Sequence, residues 1–294
     1  MQISFLIFQL LNGLTEGMIL FIVASGLSLV FGVLRVINFA HGSLYMIGAF
    51  LAFSLSTFFS DFSMANYLLL MILVPAAVAL IGLGLEVTLF RRIYRKEHLL
   101  QLLLTYALVL VLDDLVRLIW GGDIRNVPRP PLLADSVDFA GLSFPSYNIF
   151  ILALGPLIAI GLWFLLYRTH WGNLIRAAVT YPEILGSLGT DVTRVMTGTF
   201  ILGCALAGIG GVLMSALANI SLAIAMEKII ECFAVVVIGG LGSVGGALLG
   251  SLIIGVGKSY LSLWLVRLAL VFPFFVMTLV LIIRPWGLFG KPER

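Results

Sequence analysis

The stretch FAVVVIGGLGSVGGALLG, residues 233–250, contains the pattern G-x-G-x-x-G at Gly240, Gly242 and Gly245. A strand, this glycine pattern and then a helix form the dinucleotide-binding fingerprint, in which the helix N-terminus receives a pyrophosphate. That fold also needs an acidic residue about 20 positions further on to hold the ribose. From residue 233 to the end of the chain the only acidic side chain is that of Glu293. The stretch therefore does not predict a dinucleotide site.

The composition places this stretch in a membrane. Of the 294 residues, 61% are hydrophobic and 11% are charged, against roughly 25% charged in a soluble domain. Several apolar runs reach the length of about 20 residues that crosses the hydrocarbon core of a bilayer. The chain is therefore predicted to be a polytopic membrane protein.

The pattern of apolar runs and breakers predicts an all-α transmembrane helical bundle in a single domain, residues 1–294. Eight spanning helices are expected, near 3–31, 42–60, 66–90, 99–120, 147–167, 194–217, 244–263 and 268–284. The apolar segment 229–239 is too short to cross alone, so a broken or re-entrant segment is expected there.

Lys and Arg in short loops indicate which ends are cytoplasmic. The segment 91–98, the segment 168–194, the tail 284–294 and Arg35 together hold eleven of the seventeen basic residues. Placing them inside leaves residues 121–146 as an external loop, with the N-terminus outside and the C-terminus in the cytoplasm.

Dense glycines have two uses in a membrane. They allow close helix packing, and they allow unwound backbone that lines a cavity. Gly239, Gly240 and Gly242 favour a break followed by a tightly packed helix, with packing alone as the alternative. We therefore expect Gly242 to tolerate substitution less well than Gly255.

A second interruption lies early in the chain, in FGVLRVINFAHGSLYMIGA, where Arg35, Asn38, His41 and Ser43 punctuate apolar sequence. A charge at the bilayer centre costs about 2.5 to 3.5 kcal/mol on insertion scales, so Arg35 is expected in a polar loop at the interface. Asn38 and His41 are candidates either for structural hydrogen bonds or for lining a translocation path.

Three motifs together resemble one family. GLSLVFGVLRVINFAHGSLYMIGA and FAVVVIGGLGSVGGALLG resemble motifs of the permeases of high-affinity branched-chain amino acid ABC importers. Between them, IRAAVTYPEILGSLGTDVTRV, residues 175–195, resembles the cytoplasmic segment by which such permeases dock on an ATPase. The three motifs occur in the family's order through nearly the whole chain.

The chain departs from the family pattern at four positions. Ser43 stands where the family commonly has an acidic residue, and Glu16 where an aromatic or small residue is common. Glu231 and Lys258 are also unusual for their positions. These departures affect the expected substrate more than the expected fold.

The segment 168–194 has features of a coupling segment independent of the resemblance. It is the longest predicted cytoplasmic connection, and YPEILGSLG predicts a short helix from Pro182 to Gly189. We expect Arg176, Pro182, Glu183 and Gly189 to couple the chain to an ATPase, with an ordinary interfacial loop as the alternative.

Three carboxylates in apolar segments are given structural roles. Asp113 and Asp114 precede Arg117 by one helical turn, which predicts an ion pair near the interface rather than a proton-relay site. Glu86 is expected to pair with Arg91 or Arg92 near the inner surface.

The resemblance implies a permease subunit of the bacterial inner membrane, which is not an enzyme and forms half of a pathway for branched-chain or related amino acids. Related permeases handle urea, short amides or organic acids. It implies as partners a second related permease, two ATPase subunits that bind the ATP, a periplasmic binding protein and lipid, and no nucleic acid. An ion-coupled secondary transporter and a passive channel are the alternatives from other classes.

No cofactor or metal is expected on this chain itself. No nucleotide-binding motif is recognisable, and Cys204 and Cys232 are isolated from each other and from the three histidines.

Overall fold

The computed structural model describes residues 3–59, 62–94, 96–139 and 142–290, which are almost entirely helical. The helices are α1 (Ile3–Leu34), α2 (Ala40–Ser56), α3 (Met64–Leu85), α4 (Arg91–Ile93), α5 (His98–Trp120), α6 (Ser146–Arg168), α7 (His170–Thr180), α8 (Pro182–Ser187), α9 (Val192–Ser215), α10 (Ile224–Gly239), α11 (Val244–Leu261) and α12 (Val266–Ile283). A π-helical turn (Glu86–Phe90) joins α3 to α4. A 3-10 turn (Pro131–Leu133) precedes an antiparallel hairpin of β1 (Ser136–Phe139) and β2 (Leu142–Pro145). The predicted all-α bundle is confirmed.

The bundle has two ends, which we name by what they carry. The loop face carries the connection from α5 to α6, which includes the hairpin, and the start of α1. Arg125 in this connection pairs through two backbone hydrogen bonds with Ile220, between α9 and α10. The short-helix face carries α7 and α8, which connect α6 to α9.

Seven helices in the described residues are long and apolar enough to cross a membrane: α1, α3 with its extension to Ile93, α5, α6, α9, α11 and α12. α2 is also apolar but has 17 residues. These eight helices match the predicted ones within a few residues at most ends.

α10 differs from the expectation for its segment. In place of a short apolar piece at 229–239, a helix of 16 residues begins at Ile224 and is about 24 Å long at 1.5 Å per residue. Its first turns contain three charged residues, Glu227, Lys228 and Glu231, and the helix is shorter than the helices that could cross a membrane. α10 is not among the helices long and apolar enough to cross a membrane, and a non-helical segment follows it, so the expected non-crossing segment with a break is confirmed, although the helix begins earlier than the apolar run.

α1 lies at the centre of the bundle. It packs against α6, α9, α10 and α11, and its residues from Met18 to Val30 are buried. Glycines allow the closest approach, since a Cβ at Gly255 of α11 would lie 2.5 Å from the carbonyl oxygen of Gly13 and the amide nitrogen of Gly17. Such small-residue contacts are typical of helix packing in membranes, where backbones approach closely.

Candidate functional site

Two short non-helical segments interrupt the bundle. The first break, residues 35–39, joins α1 to α2, and the second break, residues 240–243, joins α10 to α11. Both fall in stretches that the sequence singled out as interruptions. Three of the residues predicted to line a translocation path, Asn38, Gly240 and Gly242, lie in these breaks, and the other two, His41 and Gly239, lie in the adjoining helix ends.

The second break depends on glycine conformations. Gly240 has φ +95° and Gly242 has φ +82°, in the left-handed region that L-residues rarely adopt. Gly239 ends α10 and packs against the backbone of Gly246, so that a Cβ at Gly239 would lie 2.7 Å from the amide nitrogen of Ala247. The two roles weighed for these glycines, a break and close packing, therefore occur together at different positions.

The freed backbone groups of the second break are satisfied within the protein. The amides of Leu288 and Phe289 donate to the carbonyls of Ile238 and Gly239, at 2.8 and 3.0 Å. The hydroxyl of Ser243 accepts a hydrogen bond from the amide of Gly246 at 3.0 Å and caps α11. The second break is therefore held on both sides by hydrogen bonds.

Of the glycines predicted in the second break, Gly242 borders open space. It contributes to a cavity of about 220 Å³ with Gly32 of α1 and with Arg176 and Thr180 of α7. The Arg176 guanidinium lies 4.8 Å from the ring centroid of Tyr167 and donates to Asn173 at 2.6 Å. A predicted path residue and a predicted coupling residue thus share one cavity at the short-helix face.

The first break brings α2 back into the bundle. Arg35 has φ +52°, the only non-glycine positive φ in the described residues. His41, in the first turn of α2, contacts the carbonyl of Val23 through Nε2 at 3.0 Å, so α2 begins beside the middle of α1. Its N-cap position, Phe39, provides no side-chain hydrogen bond.

Polar atoms at the first break lack partners. Asn38 and His41 are fully buried, and neither the amide group of Asn38 nor Nδ1 of His41 has a hydrogen-bond partner within the described residues. Buried polar side chains are normally paired because an unmade hydrogen bond costs stability. Neither residue lines the cavities described here, so their role in a translocation path stays a prediction.

The connection from α6 to α9 is mostly helical. α7 is strongly amphipathic and is capped by Thr169, whose hydroxyl accepts from the amide of Gly172 at 3.1 Å. Its buried side chains Ile175 and Ala178 face the bundle, where α7 packs against α9 and α1. The sequence did not predict α7, because one apolar face on a polar helix falls below the threshold of a membrane span.

α8 is the short helix that the sequence placed from Pro182 to Gly189. It begins at Pro182 and ends at Ser187, and Gly189 follows with φ +81°. The amide of Thr190 donates to the carbonyl of Leu185 at 3.3 Å, which terminates the helix. Gly189 therefore has a conformational role.

The outer surface of α8 is apolar. Leu185 is 6% exposed and packs on the bundle, whereas Ile184 is 58% exposed and Leu188 76% exposed. Glu183 is also exposed and borders a cavity of about 680 Å³ that reaches Arg35. α8 and the residue after it thus expose apolar side chains and a carboxylate, and Glu183 and Ile184 border the cavity between α8 and the end of α1.

A polar cluster near the short-helix face fixes α3 and α4 to α9. Arg91 Nε donates to both carboxylate oxygens of Glu86, at 3.1 and 3.0 Å, and its guanidinium also donates to Thr197 at 2.9 Å. The Tyr94 hydroxyl donates to Glu86 at 3.0 Å. Burial and the neighbouring carboxylate raise the pKa of the Tyr94 phenol above its usual range, so the phenol stays a donor. The predicted pairing of Glu86 with an arginine is confirmed.

Four charged side chains form a network between α1, α10 and α11, which we call the charged quartet. Lys258 donates to Glu16 and to Glu231, and Lys228 donates to Glu231 at 2.7 Å. The quartet holds two positive and two negative charges. Three of its members are departures from the family pattern, and the structure brings all three together.

Residues 9–281 match the family model described as branched-chain amino acid transport system, permease component. The chain belongs to this family of permeases. No solved structure matches it significantly.

The permease is similar to curated relatives over nearly its whole length. It is 30% identical to the high-affinity branched-chain amino acid transport system permease protein BraD of Pseudomonas aeruginosa, covering 97% of this chain and 96% of that protein. It is 28% identical to LivH of Escherichia coli, of the same description, covering 99% and 98%. It is also 30% identical to a probable branched-chain amino acid transport permease protein LivH of Methanocaldococcus jannaschii, covering 92% and 89%.

One predicted ion pair in the permease is wrong. Asp113 was expected to pair with Arg117 one turn later, but in the described residues it accepts a hydrogen bond from Ser43 at 2.9 Å and makes no ion pair. The partner lies 70 residues away in sequence, on α2. A carboxylate thus lies beside Ser43, where the family pattern has its own acidic residue, but α5 supplies it.

The sequence missed Lys228 as a site residue of the permease. Lys228 is buried in the bundle and follows Glu227, which is exposed. A Lys-x-x-Glu spacing to Glu231 was the available signal, because residues three apart meet on a helix. The pairing of Glu231 with α11 and of α11 with α1 could not be obtained from local spacing.

Proposed function

We propose that this permease supplies one half of the translocation pathway in an ATP-driven importer of branched-chain or related amino acids. The observation that carries the proposal is similarity to branched-chain amino acid permeases over nearly the whole chain. A second related permease would complete the pathway, two ATPase subunits would bind the ATP, and a binding protein would deliver the solute at the loop face.

The proposed orientation puts the short-helix face in the cytoplasm. Arg91, Arg92, Arg168 and Arg176 lie at this face, and short cytoplasmic loops are rich in such residues. The N-terminus would then be outside, and the membrane would be the bacterial inner membrane. Cysteine labelling from each side of the membrane, at Ser136 on the loop face and at Ser187 in α8, tests the orientation.

The α8 surface is the proposed handle for an ATPase. Ile184 and Leu188 would enter an apolar groove on that subunit, and only residues 188–191 join α8 to α9. Because α7 packs against both α9 and α1, movement of α8 would be passed to the central helices as a rigid shift rather than absorbed by a loose loop. ATP-driven closure of the ATPases would in this way change which face the pathway opens to.

Reconstitution tests the proposed function. The permease, its second permease and the ATPases are placed in liposomes with the cognate binding protein, and uptake of L-leucine is measured with and without ATP. We expect uptake only with all components and ATP. Uptake by this chain alone would establish a channel, and uptake driven by a proton gradient without ATPases would establish a secondary transporter.

The solute class has its own test within the same family. Thermal shift of the cognate binding protein is measured with branched-chain amino acids, urea, acetamide and a short carboxylic acid. Stabilisation by an amino acid supports the proposal, whereas stabilisation by urea, the amide or the acid alone replaces the substrate and leaves the importer assignment standing.

Coupling is expected to depend on Gly189 and Glu183. Gly189→Arg forces a side chain onto a residue with φ +81° and changes the end of α8, and Glu183→Ala removes its exposed carboxylate. Both should lower ATP-dependent uptake at least about tenfold while leaving the amount of inserted permease unchanged. Gly161→Ala, in α6 where an added Cβ meets nothing within 4 Å, should transport normally. Unchanged uptake and ATPase association in both coupling variants would contradict the assignment.

A further inference from the structure

A cavity of about 260 Å³ opens beside the charged quartet, between α1, α6, α9 and α10. Its lining includes two charged residues, Glu16 and Lys228, and two residues with amide side chains, Asn12 and Asn148. The lining also includes three apolar residues, Ile19, Met214 and Leu217. We call this space the polar cavity.

The two charged groups of the polar cavity keep unused hydrogen-bonding capacity. Lys228 has an 11% exposed side chain, and among the described residues it donates to Glu231 alone, although an ammonium has three hydrogens. Glu16 has a 38% exposed side chain, and its Oε1 accepts from Lys258. Its second oxygen accepts nothing within the described part of the chain. One positive and one negative group therefore remain available beside the same space.

Asn148 gives a second and independent sign of a ligand. Its amide nitrogen donates to Asn12 Oδ1 at 3.2 Å, but its Oδ1 is buried and has no partner within the described residues. The residue is 7% exposed and lines the polar cavity. A buried acceptor next to a cavity lacks a donor, and a buried polar group is normally satisfied.

From this juxtaposition we infer that the polar cavity is a binding site for a small zwitterion with an apolar side chain. The ammonium of the zwitterion would meet the free oxygen of Glu16 and the Oδ1 of Asn148, its carboxylate would meet Lys228, and its side chain would lie against Met214 and Leu217. The inference rests on the proposed function, since it places the solute at one point of the pathway.

Charge balance selects a zwitterion over a cation or an anion. The charged quartet is neutral, and a zwitterion adds no net charge to a region of low dielectric. A ligand with one charge leaves that charge unbalanced, and an uncompensated buried charge is expensive. A solute of only one sign would also leave either Lys228 or Glu16 without a new partner.

The ion pairs of the charged quartet would persist when the ligand binds. Lys258 contacts both Glu16 and Glu231, so it holds the two carboxylates in place when a bound ammonium approaches Glu16. Lys228 and Glu231 are three residues apart on α10, so their pairing does not depend on α1. The quartet is thus a preformed frame for weak and reversible binding, as a transport pathway requires.

Binding to the full-length permease in nanodiscs, without binding protein or ATPases, tests the inference. Saturation-transfer NMR with L-leucine as the probe reports the bound amino acid, and empty nanodiscs control for lipid contact. Leucinamide and 4-methylpentanoate serve as competitors at about pH 6, where the first is a cation and the second an anion. We expect each to compete at least about tenfold more weakly than leucine. Equal competition by either of them would overturn the inference, and this comparison needs no variant.

Variants then locate the site. Glu16→Gln and Lys228→Met should each weaken leucine binding at least about tenfold, whereas Glu227→Gln, an exposed carboxylate one residue from Lys228, should bind as the wild type does. Because either charge variant can destabilise the bundle, Asn148→Ala gives a third comparison. It should weaken binding several-fold because it removes the acceptor that has no partner within the described residues, and any fall in its unfolding temperature reports the lost hydrogen bond to Asn12.

The outcomes separate the inference from the proposed function. Leucine uptake by the assembled importer together with unchanged leucine binding in all three variants would sink the polar cavity and leave the importer standing. Selective leucine binding to the permease without leucine uptake by the assembled importer would contradict the proposed function instead. An unfolding temperature lowered by Asn148→Ala, with binding unchanged, would assign Asn148 a structural role and overturn its part in the site.

Discussion

The two breaks are of similar length but differ in how well their polar groups are hydrogen-bonded. At the second break, backbone amides from the C-terminal segment satisfy the end of α10, and Ser243 caps α11. At the first break, α2 starts without a side-chain cap, and Asn38 carries an amide group with no partner within the described residues. Glycine content alone would suggest the opposite, namely that the second break is the more flexible of the two.

The difference teaches that glycine density does not by itself indicate a mobile segment. In the second break, glycines allow backbones to touch and hydrogen bonds to close, and the result is a fixed junction. In the first break, larger and polar residues leave bonding capacity unused. The predictions below test whether the second break is the rigid one.

The largest effect is expected at Gly239. A Cβ in Gly239→Ala would meet the backbone of Gly246 and Ala247, where neither helix can yield by moving a side chain. We expect the free energy of unfolding to fall by about 3 kcal/mol, at the upper end for overpacking. Thermal unfolding of the purified permease measures this. Gly245→Ala is the matched control, because a Cβ there meets nothing within 4 Å, and an unstable control would contradict the packing explanation.

Gly242 should show a smaller effect of a different kind. Its φ of +82° strains any L-residue, at a cost of roughly 1 to 2 kcal/mol, and a Cβ would also approach the Cα of Gly32 at 3.0 Å. Gly242→Ala should therefore lower the unfolding temperature less than Gly239→Ala and more than Gly245→Ala. If the three variants unfold alike, the second break does not depend on its glycine conformations.

Replacing a polar residue should change the free energy of unfolding in opposite directions at the two breaks. Ser243→Ala removes the cap of α11 and should cost about 1 kcal/mol. Asn38→Leu replaces a buried amide that has no partner, and it should raise the free energy of unfolding by about 1 kcal/mol. Thermal unfolding of both variants measures these changes in stability. Uptake by the reconstituted importer carrying Asn38→Leu tests whether Asn38 takes part in transport. A stabilised Asn38→Leu with reduced uptake would place Asn38 in the pathway, whereas destabilisation would show that the amide is satisfied in the native protein.

The smallest effect is expected at Arg35. Arg35→Gly relieves a positive φ but adds chain entropy to the unfolded state, so a net gain of about 0.5 kcal/mol is expected. Arg117→Gly, at an exposed helical position of α5, should instead cost about 1 kcal/mol. Opposite shifts in the unfolding temperature would support backbone strain at Arg35. Equal decreases in the unfolding temperature of both variants would contradict such strain.

Helix positions were predictable because apolar runs of about 20 residues have one common solution in a bilayer. The exact ends of the helices, and the helices α7 and α10, depend on contacts with residues distant in sequence. α10 begins at Ile224, before the apolar run at 229–239, because Lys228 and Glu231 pair with each other and Glu231 also pairs with Lys258, far away in the chain. α7 was missed because its apolar residues occupy one face only.

The candidate sites show the same limit. The pairing of Glu86 with Arg91 lies within five residues and was predictable, whereas the partner of Asp113 is Ser43 on another helix. The expected tolerance of Gly255 also changes, because a Cβ there would meet the backbone of α1. Gly255→Leu is therefore expected to be as damaging as Gly242→Leu, and Gly245 replaces Gly255 as the tolerant position.

The charged quartet has a consequence for how the chain is made. Each of Glu227, Lys228 and Glu231 would cost about 2.5 to 3.5 kcal/mol in the middle of a helix entering the bilayer alone, so α10 is a poor substrate for independent insertion by the translocon. Lys258, the partner that lowers this cost, is synthesised 27 residues after Glu231, and Glu16 must wait 242 residues for the same lysine. The Lys228–Glu231 pair offsets part of this cost within α10 itself, and we expect insertion of α10 and α11 as one hairpin to offset more of it, with the first helix of the chain near enough to contact Lys258 once α11 is made.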